Sequence, residues 1–128
     1  MKTFNENDLE SMEKFYRAKF INSLSGVKSA NLVGTIDIKG QTNLSIVSSA
    51  VHIGANPALM GVVFRPAIVS RHTFENIKST KEFTLNHITS SIFKEAHQTS
   101  ARYDKDVSEF NAVGLTEEYL SKMKAPFV

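Results

Sequence analysis

Two arginines, two hydroxyl residues and a histidine fall between Arg65 and Thr73, in the run Arg65-Pro66-Ala67-Ile68-Val69-Ser70-Arg71-His72-Thr73. Phe74 and Ile77 then lie on one side of a helical pattern, so Ser70 to Thr73 stand at a helix start. At such a start the first backbone N–H groups lack intrahelical partners and the dipole is positive, which favours an anion, most naturally a phosphate group. Arg71 adds a charged donor, Ser70 and Thr73 add hydroxyls, and Arg65 is close enough in sequence to help. The plainer alternative makes Thr73 an ordinary helix cap and Arg71 a surface charge.

Ser45, Ser48 and Ser49 form the second group with chemical potential. They dot a strand-like segment, Leu44 to Ile53, where small side chains let a ligand approach the backbone, although solvent-facing serines would read the same way. Other chemistries find less support. His52, His72, His87 and His97 lack the tight spacing of zinc ligands and have no cysteine beside them, which argues against a metal site. Ser70 and His72 have no orienting acid in a known pattern, so a nucleophile and base are not indicated. Asp104, Asp106, Glu109, Glu117 and Glu118 read as surface acids flanking helix starts.

These residues need elements to position them. Asn7 to Leu24 has the spacing of one amphipathic helix, stopped at Ser25-Gly26. Ala30 to Ile38 reads as a strand broken by Gly34, joined through a turn at Gly40 to a second strand. That second strand sets Asn43 and Ser45 on one side against Leu44 and Ile46 on the other, then loses phase at Val47-Ser48-Ser49, as at a bulge. After Asn56-Pro57, the continuous apolar run Ala58 to Phe64 predicts a central strand, and Pro66 to Val69 an extended link. Glu82 to Ile88 predicts a further strand with Phe83 and Leu85 inward, against Thr84 and Asn86. A short helix capped by Ser90 or Ser91, another begun by Asp106 and stopped at Gly114, and a last turn from Thr116 complete the pattern. Antiparallel strands in meander order with peripheral helices imply an α+β, mainly β fold, as a small barrel or open sheet.

With 128 residues, 41% apolar and 22% charged, the chain suits one globular domain. A net charge of +2 with scattered lysines, and no basic aromatic face, gives no push toward nucleic acid or a membrane surface. The lack of cysteine fits a reducing compartment, and the polar start from Met1 to Glu10 does not read as a signal peptide, so a cytoplasmic protein is expected.

The ordered series Ala30 to Thr35, Asn43 to Ser48, Asn56 to Leu59, Arg65 with Ser70 to Ile77, Glu82 to Asn86, Ala96 to Ser100 and Val107 to Thr116 resembles the flavin reductase-like family with an FMN-binding split barrel. The resemblance runs from about Ser29 to Pro126. It implies one domain over 1–128, with an N-terminal helix in 1–26 and a barrel portion in 29–126 that stops short of the family's C-terminal strands. It also implies a homodimer that binds FMN, or sometimes FAD, and passes a hydride from NADH or NADPH to the flavin.

Carried to matching positions, the resemblance implies that Asn43, Ser45, Ser48 and Ser49 run beside the ribityl chain and ring, and that Ser70, Arg71 and Thr73 hold the phosphate with Arg65 as helper. Asn86 would face the ring system, and His97 and Tyr103 the nicotinamide or flavin edge. The cofactor carries the reaction in such a protein, so no catalytic side chain is expected. A non-catalytic FMN-binding or assembly module is the alternative.

Overall fold

A computed structural model describes residues 1–66 and 70–128. Its organising element is β1 (Asn31–Ile36), which pairs antiparallel with β2 (Thr42–Val47) on one side and with a later strand, Thr84–His87, on the other. Leu32 and Val33 are fully buried, and Asn31 to Thr35 are all buried, because both edges and both faces of β1 are covered. The hairpin between β1 and β2 forms as its sequence predicts. Asp37 Oδ1 accepts from Lys39 N–H at 2.7 Å and Gln41 N–H at 2.9 Å, and Gly40 takes a positive φ of 89°.

The alternation in β2 divides the molecule. Leu44 and Ile46, with Leu32 opposite, face an apolar core completed by Ala96 and Phe110. Asn43 and Ser45 face the other way, toward the helix that starts at His72. One strand therefore supplies hydrophobic burial and a polar site from its two sides.

Several expected elements take other forms. The N-terminal helix is two, α1 (Glu6–Ser11) and α2 (Lys14–Ser23), because Glu13 accepts from the N–H groups of Phe15 and Tyr16 at 2.9 Å each and starts a new helix. Neither helix has a buried residue. The loss of phase after Val47 is the end of β2. A separate two-stranded hairpin follows, of β3 (Ala50–Ala55) and β4 (Ala58–Val62), with a register shift between His52 and Gly54. The apolar run in β4 is thus not a central strand, and Leu59 and Met60 stay 47% and 56% exposed. The expected extended link over 67–69 lies outside the described residues.

Helix α3 (His72–Thr80) follows and packs on β1 and β2. It ends on Lys81 in the left-handed region, φ 64°, which a lysine occupies at a steric cost. Lys81→Gly should therefore stabilise the fold by about 1 kcal/mol, read as a higher urea midpoint with unchanged slope. A lower midpoint would mean that the lysine stem contributes more than its backbone strain removes.

Strand β5 (Thr84–His87) joins the free side of β1 with its polar residues reversed from expectation. Thr84 Oγ1 donates to the Pro126 carbonyl, Asn86 Nδ2 donates to Leu32 O at 3.1 Å, and Asn86 Oδ1 accepts from Val128 N–H at 3.1 Å. The C-terminal segment covers that face and needs polar partners there.

Helix α4 (Phe93–Gln98) begins after Ile92 rather than a serine cap, since the Ser91 and Thr89 hydroxyls bond each other at 2.7 Å. Helix α5 (Glu109–Val113) starts after Ser108, not Asp106, and stops at Gly114 as expected. In place of a turn from Thr116, Glu118 and Phe127 form an antiparallel bridge. The sheet order is β2-β1-β5, with β3-β4 separate, so the α+β and antiparallel expectations hold while no closed barrel forms among the described residues. No helix of the described residues is long and apolar enough to cross a membrane.

Candidate functional site

The polar side of β2 opens into a cleft of about 1000 Å³, bounded by the start of α3 and by residues near Ser49, Phe64 and Arg102. Nine residues expected at the site line it: Asn43, Ser45, Ser48, Ser49, Arg65, Ser70, Arg71, Thr73 and Tyr103. Two do not. Asn86 is tied up on β5 by Leu32 and Val128, and exposed His97 lies on α4 outside the cleft lining.

The donors at the helix start are unequally free. Ser70 Oγ donates to Glu75 Oε1 at 2.6 Å, and this bond is the main reason the Glu75 carboxyl sits below its ordinary range. Thr73 is 7% exposed, and its hydroxyl lies 2.6 Å from Asn43 Oδ1 and 2.8 Å from Ser45 Oγ. Arg71 differs from both. Its Nε is buried and without a hydrogen-bond partner among the described residues, although a buried donor left unpaired costs free energy.

Arg71 also occupies the N-cap position of α3 with no side-chain cap bond, so among the described residues the cap supplies no side-chain acceptor to the amides of the first turn. A buried orphan guanidinium nitrogen beside an uncapped helix start is a donor set that fits a phosphoryl group, whose oxygens only accept. Lys28, Arg65 and Arg102 bring further positive charge to the lining. Asp104 and Glu109 bring negative charge.

Glu109 is the residue that sequence reasoning missed most plainly. It is 6% exposed, and its carboxylate accepts from Asn43 Nδ2 at 2.9 and 2.8 Å and from Leu44 N–H at 2.9 Å on the open edge of β2. A glutamate just inside a helix start looks like a surface acid. Only the fold, by laying α5 against β2, makes it a buried acceptor. Lys28 and Arg102 also line the cleft, from segments whose approach has no local signal, and His72 lines it from the same helix start as Arg71 and Thr73.

The model of the family described as flavin reductase like domain matches residues 27–128. Among solved structures, the chain is similar to a protein assigned as a flavin reductase with split barrel domain from Shewanella frigidimarina NCIMB 400, with 60% identity and a TM-score of 0.92 over 99% of this chain and 63% of that one. Nitrilotriacetate monooxygenase component B from Bacillus cereus is similar in fold, at 22% identity and a TM-score of 0.85 over 99% of this chain and 62% of that one. A curated relative, an uncharacterized protein of Aquifex aeolicus (strain VF5), is 29% identical over 96 residues, 73% of this chain and 49% of the relative. The chain thus spans about half the length of that relative and under two thirds of the solved chains.

Proposed function

Given that the chain belongs to the flavin reductase-like family, we propose that its cleft binds FMN and that it acts as a flavin reductase, receiving a hydride from NADH or NADPH. The observation that carries this reading is the buried Nε of Arg71, without a partner among the described residues, at the start of α3, which suits the phosphate of FMN. First-turn amides of α3 would share that phosphate, with Arg65 adding charge at the cleft. Ser45, Ser48 and Ser49, being small, would let the rest of the ligand lie close along the end of β2.

When bound, the flavin supplies acceptance of the two-electron hydride from the nicotinamide, which leaves oxidised nicotinamide. The chain's own part is to bind, to orient and to shield from water. No side chain has to move a proton in that scheme, in keeping with the lack of a nucleophile and base pair in the sequence. A homodimer belongs to the same reading. It is supported by the apolar side chains of the β3–β4 hairpin, where Val51, Ile53, Leu59 and Met60 are all exposed.

The test is to add FMN to the purified protein, remove the excess and record the visible spectrum, then follow NADH and NADPH oxidation. Retained flavin with a shifted band, and oxidation faster than with the same FMN free in solution, is expected. A folded sample that retains no flavin defeats the proposal. Retention without faster oxidation leaves an FMN-binding module.

A further inference from the structure

Helix α3 carries Arg71 at its start, yet the face that it lays on the sheet is polar. Its buried side chains are Thr73 and Asn76, one turn apart, while Phe74 and Ile77 are only half-buried. Thr73 Oγ1 donates to Asn43 Oδ1 at 2.6 Å, and Asn76 Nδ2 donates at 3.2 Å to Thr35 Oγ1, which in turn donates to Asn43 Oδ1 at 3.3 Å. Both attachments of the helix end on one amide oxygen.

That amide is held from behind. Asn43 is 6% exposed, and Glu109, 6% exposed as well, accepts from Asn43 Nδ2 at 2.9 and 2.8 Å and from the Leu44 N–H at 2.9 Å. A carboxylate accepts and does not donate, so it takes the NH₂ end of Asn43 and leaves the oxygen end for α3. Turned the other way, the amide would set its oxygen against the carboxylate, acceptor to acceptor, in a buried place where neither finds a donor in the other.

We infer that Glu109 is a positioning residue for the phosphate end of the cleft: by fixing which way the Asn43 amide faces, it holds Thr73, and with it Arg71 two residues earlier, in place at the start of α3. The network belongs to the protein alone. That the group received there is the phosphate of a flavin rests on the function proposed above. Asn43 thereby becomes a support for the helix start, since both ends of its amide have partners in the protein.

Glu109 also lines the cleft, where its negative charge repels a phosphate, so Glu109→Gln separates two roles by sign. Loss of repulsion alone would tighten FMN, whereas loss of the imposed amide direction would weaken it. The experiment titrates FMN and riboflavin, which carries no phosphate, against wild type and Glu109→Gln. FMN should weaken about fivefold and riboflavin less than about twofold, and in an Arg71→Ala background the FMN loss should shrink to less than about twofold. Thr73→Val should reproduce the FMN loss, and Thr73→Ser, which keeps the hydroxyl, should bind FMN as wild type does. Tighter or unchanged FMN in Glu109→Gln overturns the inference, and so does an equal loss for both flavins, because Glu109 would then act on the fold at large.

If the wild-type chain binds neither riboflavin nor FMN, the flavin reading fails and the positioning is judged without ligand. The first turn of α3 is closed by the Glu75 N–H on Arg71 O at 3.0 Å, and its end by the Lys81 N–H on Ile77 O at 2.9 Å. In Glu109→Gln the Glu75 amide should exchange with solvent at least about fivefold faster than in wild type, while the Lys81 amide changes less than about twofold. Unchanged exchange at Glu75, or an equal rise at both amides, overturns the inference.

Discussion

Arg71→Ala should weaken FMN binding by about 30-fold while leaving riboflavin binding nearly unchanged. Of the residues expected to hold a phosphate, Ser70 has its hydroxyl on Glu75 and Thr73 has its hydroxyl on Asn43. Arg71 alone keeps a buried donor without a partner among the described residues. A hydrogen bond to a charged group contributes about 1.5 to 3 kcal/mol, and each 1.4 kcal/mol is a factor of about ten in affinity. The wild-type preference for FMN over riboflavin should shrink as salt is raised, because the guanidinium and phosphate attract through a partly exposed site. Fluorescence titration of the two flavins against both proteins decides the matter. Equal losses for FMN and riboflavin would place Arg71 against the ring or polyol instead, and no loss would remove it from the site.

What could be read beforehand divides along the range of the interactions involved. The alternation of Asn43 and Ser45 against Leu44 and Ile46 is local, and it located both the core face and the cleft face of β2. The turn at Asp37 to Gln41 is local as well. Glu109 acts across a separation of 66 residues from Asn43, so nothing in its own neighbourhood marks it.

The apolar run of β4 misled for a related reason. Apolarity announces a surface that is to be covered, not which partner covers it, and within the described residues only β3 lies beside it. Asn86, which the family resemblance sets facing the ring system, bonds instead to the backbone of Leu32 and Val128, partners far away in sequence that nothing in its own neighbourhood marks. The break at Glu13 was hidden by apolar spacing that runs on through both helices, while a carboxylate that caps needs only two amides to start a new helix.

Gly34 presents the same contrast in its sharpest form, and Gly34→Ala should cost about 3 kcal/mol of stability. In the sequence this glycine looks like a weak point in a strand, yet β1 runs unbroken through it, paired to Leu44 on one side and Thr84 on the other. Its missing side chain is the space into which the C-terminal segment closes. A methyl group there would overlap the Pro126 carbonyl oxygen and the Thr84 hydroxyl. The carbonyl is backbone in a buried segment, with Ala125 fully buried, so it cannot swing aside as a flexible side chain would.

Displacing that segment would also break the Thr84 bond to Pro126, the Asn86 bond to Val128 and the pairing of Glu118 with Phe127. The loss should therefore appear twice. The urea midpoint should fall, and the amides of Phe127 and Val128 should lose their protection against hydrogen exchange before those of β1 and β2 do. If the midpoint falls while those two amides stay protected, the strain has been relieved by a shift within the sheet and the tight closure over Gly34 is not what holds the segment. The cleft lies on the other side of β2, so flavin affinity measured well below the unfolding midpoint should change little, which separates this closure from the binding chemistry.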